Sequence, residues 1–97
     1  MNMQQIMMQA RKLQGEIEKA TKEIENTIYK YENENVLVEA TGDNHIKKIE
    51  IKDTSILEDK EILEDIINIG INDVLQQIKK EKDKKLGKYT NGLGGIL

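Results

Sequence analysis

The 97-residue chain predicts an α+β fold in the order helix, three strands, helix, and three observations carry the prediction. A heptad-spaced apolar seam runs through residues 3–24. Between residues 27 and 52 the apolar period drops to two, with two turn signals inside it. From about Asp59 the helical period returns with a broader apolar stripe.

The first helix rests on Met3, Ile6, Ala10, Leu13, Ile17, Ala20 and Ile24, spaced alternately three and four apart. Such a narrow seam calls for one partner helix, not burial all round. Gln, Lys, Glu and Thr fill the other positions and favour or tolerate a helix, while Gly15 costs about 1 kcal/mol relative to Ala. The three strands read as Tyr29/Tyr31, then Val36/Val38/Ala40, then Ile49/Ile51, each alternating with polar or oppositely facing neighbours. Glu32-Asn33-Glu34-Asn35 and Thr41-Gly42-Asp43-Asn44 separate them, and Asn and Gly tolerate positive φ in such turns. Together they predict an antiparallel meander. Ser55 with Glu58 has capping-box spacing, and Asp59 is an alternative N-cap. The last helix is predicted from Asp59 to Leu86. Its stripe of Ile62, Leu63, Ile66, Ile67, Ile69, Ile71, Val74, Leu75 and Ile78 is broad enough to face more than one neighbour, with the sheet or a second subunit expected there. Residues 1–90 form one domain on this reading, and the Gly-rich residues after Leu86, 91–97 above all, form a flexible tail.

Composition narrows the chemistry. The chain has no Cys, Pro, Phe or Trp, so its core must be aliphatic, and fifteen Ile supply much of it. Without Cys there are no disulfides, thiolate metal sites or Cys nucleophile, which fits a reducing cytoplasm. The N-terminus lacks the apolar run of a signal peptide, and no stretch approaches the ~18 apolar residues that span a bilayer, so a soluble chain is expected. His45 has no second His or Cys to share a metal with. No carboxylate pair suggests acid–base catalysis, and no Gly-rich loop precedes a helix to cradle phosphate. No catalytic residue, cofactor, metal or small-molecule substrate is therefore expected. Met3, Met7 and Met8 read as packing residues, and the strand tyrosines likewise.

The formal net charge is −3, but it is unevenly placed. Residues 1–14 carry +2, residues 79–97 carry +4 and the middle carries −9. Helices of roughly 33 and 42 Å outrun a sheet of ~20 Å, so an antiparallel helix pair must project as an arm. Its tip would gather both basic segments and leave the acidic middle around the sheet and the helix roots. Lys79, Lys80, Lys84, Lys85 and Lys88, with Arg11 and Lys12 behind them, are the candidates for contacting DNA phosphates. Lysines near a helix C-terminus also complement the macrodipole with no partner at all, so the convergence of the two segments carries the reading. Fourteen Lys against one Arg predicts loose sequence preference, because bidentate Arg is the commonest reader of guanine. The competing reading is a non-DNA helical-arm adaptor or holdase that grips protein clients with the apolar seam. Salt dependence separates the two.

Three segments resemble the YbaB/EbfC family: Met7-Met8-Gln9-Ala10-Arg11-Lys12-Leu13-Gln14 with Glu16–Ala20, then Asp59–Ile67 with Asn72-Asp73, then Leu86-Gly87-Lys88-Tyr89-Thr90 with Gly92-Leu93-Gly94. The resemblance runs along nearly the whole chain. It implies an αβββα fold, an intertwined, tweezer-like homodimer, a bacterial cytoplasmic setting and duplex-DNA binding as a nucleoid-associated protein, with a use in nucleoid organisation or gene expression. The first strand–strand loop, Gly-rich in the family, here carries Glu32 and Glu34, which disfavour contact with DNA.

Overall fold

A computed structural model describes residues 2–92, in the order α1 (Met3–Glu25), β1 (Ile28–Glu32), β2 (Val36–Thr41), β3 (His45–Ile51), a short 3-10 helix (Thr54–Glu58) and α2 (Lys60–Gly92). The predicted αβββα order is observed. The strands form one antiparallel sheet in the order β1-β2-β3. Asn33 makes the first hairpin tight: its side-chain oxygen accepts from the backbone N–H of Asn35 and Val36, both at 2.8 Å. In the second turn Asn44 takes the positive φ of 62°. Gly42 serves space instead, since a Cβ there would run into the backbone of Ile24 at the end of α1.

Facing residues across an antiparallel pair share a side of the sheet. Tyr31 pairs with Val38 and Val38 with Ile49, and a bulge at Glu39/Ala40 brings Ile46 opposite Ala40. This side meets α2, and the core consists of Tyr29, Val38, Ala40, Val74 and Ile78, with Tyr31, Ile46, Ile71 and Leu75 around it. Ile24 closes it at the end of α1 and is 1% exposed.

The broad stripe of α2 splits as its width requires. Gly70, Val74 and Ile78, successive turns of one face, lie buried, whereas Ile62 and Ile69 remain 47% and 55% exposed. Gly70 permits the close approach, its missing Cβ lying 2.8 Å from Val38 Cγ2 and 3.0 Å from Tyr31 Cδ2. Gln77 Nε2 donates to the Lys30 carbonyl at 2.8 Å, tying α2 to β1.

Two local expectations are corrected. The Ser55/Glu58 capping box is not used. Asp53 caps the 3-10 helix by accepting from Ser55 N at 3.0 Å, and the alternative cap, Asp59, accepts from Ile62 N at 3.2 Å. α2 also does not stop at Leu86 but runs through Gly87 to Gly92. Leu86 and Tyr89 are half-buried on its last turns, so packing outweighs the roughly 1 kcal/mol propensity cost of Gly87. Residues 93–97 of the predicted tail lie outside the described residues.

Candidate nucleic-acid interface

The direction of α2 follows from its contacts. Gly70 lies against Tyr31, Gln77 bonds Lys30, and Tyr29 feels the charges of Glu81 and Lys85. As α2 advances, β1 is met in reverse, so α2 leaves the sheet at the end where α1 enters it. Beyond Ile78 it packs antiparallel on α1. The molecule measures 69 × 23 × 15 Å, an extension that this two-helix arm produces. With 1.5 Å of rise per residue, Lys88 lies about 15 Å past Ile78, and Arg11 lies about 20 Å before Ile24. Arg11, Lys12 and Lys88 thus share the outer arm, with Lys79 and Lys80 at its root.

The lysines of α2 are not equivalent. Lys82, Lys85, Leu86 and Tyr89 are half-buried, while Lys79, Lys80, Lys84 and Lys88 are exposed. Lys80, Lys84 and Lys88 succeed one another at four-residue spacing and form a stripe turned away from that half-buried face. Lys88 stands 5.0 Å from the ring centre of Tyr89, a cation–π distance. Lys85 is instead paired with Glu81 at 3.4 Å, one turn away. Of the seven candidates it is the one paired with a carboxylate among the described residues. The spacing 80, 84, 88 was the sequence signal that separates the stripe from Lys85. Acids line the arm as well: Glu16, Glu18, Glu23 and Glu25 lie on the root half of α1, where the acidic middle was expected, and Glu81 and Asp83 sit among the lysines on the arm half of α2. The arm is basic as a stripe and not as a whole.

The sheet end differs in character. Lys52 Nζ bonds Glu32 Oε2 at 2.8 Å and also donates to the Asn33 carbonyl at 3.1 Å. That hydrogen bond and the ammonium charge hold the Glu32 carboxyl below its ordinary pKa. Hydrogen bonds from Ser55 do the same for Asp53, and one from Thr41 for Asp43. Among the described residues no three His, Cys, Asp or Glu side chains converge to hold a metal, and no helix is long and apolar enough to cross a membrane.

A small three-stranded sheet backed by a long helix, whose end carries a lysine stripe along a two-helix arm, defines an elongated, charge-bearing α+β module. The chain matches the YbaB/EbfC DNA-binding family over residues 1–93 and belongs to it. Similar proteins include a nucleoid-associated protein of Lactococcus lactis subsp. lactis, 44% identical over 96% of this chain and 97% of the relative. Another, of Enterococcus faecalis, is 39% identical over 98% and 94%. A third, of Hahella chejuensis, is 35% identical over 96% and 88%. No solved structure matches. Family membership makes this a DNA-binding, nucleoid-associated type of protein, which is not an enzyme class.

Proposed function

We propose that the chain binds double-stranded DNA as a homodimer, through phosphates and with loose sequence preference, and catalyses no reaction. The observation that carries the reading is the exposed Lys80-Lys84-Lys88 stripe on the same arm as Arg11 and Lys12. Cations one helical turn apart track a phosphate backbone, and their contacts release counterions without reading bases. Lys79 adds charge at the root, and Lys85 contributes least because Glu81 already neutralises it. The dimer is supported by the apolar residues that one chain leaves bare on the second face of α2, Ile62 and Ile69, and by Ile49 on β3. Two copies present two arms, and the setting is the cytoplasmic nucleoid, where modulation of its organisation or of gene expression is the use.

The test is the affinity for random and AT-rich duplexes, followed by fluorescence anisotropy across a salt series. Log affinity falls against log salt with a slope of about −0.9 per neutralised phosphate. Replacing Lys80, Lys84 and Lys88 with Gln flattens the slope by roughly 0.9 for each phosphate left without its cation, while Lys85→Gln alone changes it less. An unchanged slope in the triple variant removes the site, and salt-insensitive or absent binding of the parent removes the reading.

A further inference from the structure

The heptad seam of α1 is only half covered. Its inner residues meet α2: Ile24 is buried, and Ile17 and Ala20 are half-buried. Its outer residues, on the same face, are bare: Met3 is 74% exposed, Ile6 45% and Leu13 37%, and Ala10 is exposed beside them. The covered and bare halves are one continuous stripe, interrupted by no charge. Met7 and Met8, 51% and 69% exposed, flank the stripe at the tip, and the three-four spacing beside them is that of a helix–helix seam.

We propose that the outer seam of α1 pairs with the outer seam of α1 in a second copy, antiparallel about a two-fold axis, so that proteins join tip to tip. The spacing favours this occupant. Met3, Ile6, Ala10 and Leu13 are separated by three, four and three residues, and reversing the helix sets Met3 against Leu13 and Ile6 against Ala10. Such a stripe is self-complementary, as an isologous contact requires. The positions flanking it are Asn2, Met7, Gln9 and Gln14, all uncharged, so like charges do not meet across the pair. Arg11 and Lys12 occupy the outer positions of the heptad and stay outside the contact, where they remain open to an anionic partner. The contact lies at the opposite end of the molecule from Ile62 and Ile69 and links homodimers into larger assemblies.

Sedimentation velocity without DNA tests the contact separately from DNA binding. The full chain forms species above two copies as concentration rises, and the Ile6→Glu/Leu13→Glu variant stops at two. Both side chains are already exposed, and an unchanged melting curve confirms an intact fold. An Ile62→Glu/Ile69→Glu variant keeps the tip contact and stops at pairs, so failure of the homodimer reading is read independently. Since the chain has no cysteine, a mixture of Met3→Cys and Leu13→Cys chains reports orientation. Mixed disulfides far above either homodisulfide support the antiparallel pair, and Met3→Cys homodisulfides in excess overturn it. The proposal is also overturned if Ile6→Glu/Leu13→Glu sediments like the parent at every concentration. It is overturned if that variant loses only binding to phosphatidylglycerol vesicles. The same holds if a chain ending at Gly92 assembles where the full chain does not, which would assign the seam to residues 93–97.

Discussion

Tyr29 is the buried polar residue with an unmet need. Its side chain is 8% exposed, and its hydroxyl finds no hydrogen-bond partner among the described residues. The nearby Thr27 hydroxyl donates to the Glu23 carbonyl at 2.6 Å instead. Burial first, and then the Glu81 carboxylate, pushes the phenol above its ordinary pKa near 10. The raised value means that the folded state holds the proton more tightly than the unfolded one. The stability linked to it is complete below pH ~10 and is lost as pH rises through the raised value. Tyr29→Phe therefore removes the alkaline loss and is neutral or stabilising by about 1 kcal/mol, as urea unfolding at neutral and alkaline pH will measure. Gly42→Ala acts the other way. Its Cβ collides with the Ile24 carbonyl, a backbone group that cannot rotate aside, so a loss on the order of 2 kcal/mol or more is expected from the same measurement. Glu32 and Asp53 carry depressed carboxyl pKa values, so their linked stability is present above the ordinary carboxylate range and is lost as pH falls through the lowered values. Lys52→Gln returns Glu32 toward its ordinary value, which a carboxyl NMR titration reads directly. Asn and Gly at 42–44 were legible as a turn from sequence, but which of them needed positive φ and which needed space was not, because the collision partner is a residue of α1.

At the level of elements, α2 is the organiser. Ile78 is 1% exposed in the core cluster and stands where α2 leaves the sheet beside α1. Ile78→Ala opens a cavity at that junction and costs about 3 kcal/mol, seen as a lower urea midpoint with the arm's helical signal weakened. Asp59→Ala removes the observed N-cap of α2 and costs about 1 kcal/mol in the same experiment, whereas Ser55→Ala leaves that cap intact. Gly70→Ala is a contest of two effects. The helix gains roughly 1 kcal/mol of propensity, but the added Cβ meets Val38 and Tyr31 inside ordinary contact distance, a strain of about 1–3 kcal/mol. A small net loss is expected. The periodicity placed both helices and all three strands. It misjudged the end of α2 because Gly composition is a local signal, whereas the half-burial of Leu86 and Tyr89 belongs to tertiary packing along an arm in which α2 meets α1.

For the whole molecule, the length of the helices relative to the sheet makes an arm unavoidable, and the end at which they meet sets what that arm carries. The uncovered apolar residues Ile62 and Ile69 are the proposed homodimer surface, and replacing both with Glu is expected to halve the mass of the species joined through that surface in sedimentation. The sequence alone was enough for the αβββα order, because periods of 3.5 and 2 and the turn residues are properties of neighbouring positions. It was also enough to reveal basic ends around an acidic middle. It could not sort the lysines. Whether Lys85 faces Glu81 and a packed helix, or Lys84 faces water, depends on which side of α2 meets α1, and that is decided by close packing between segments some sixty residues apart.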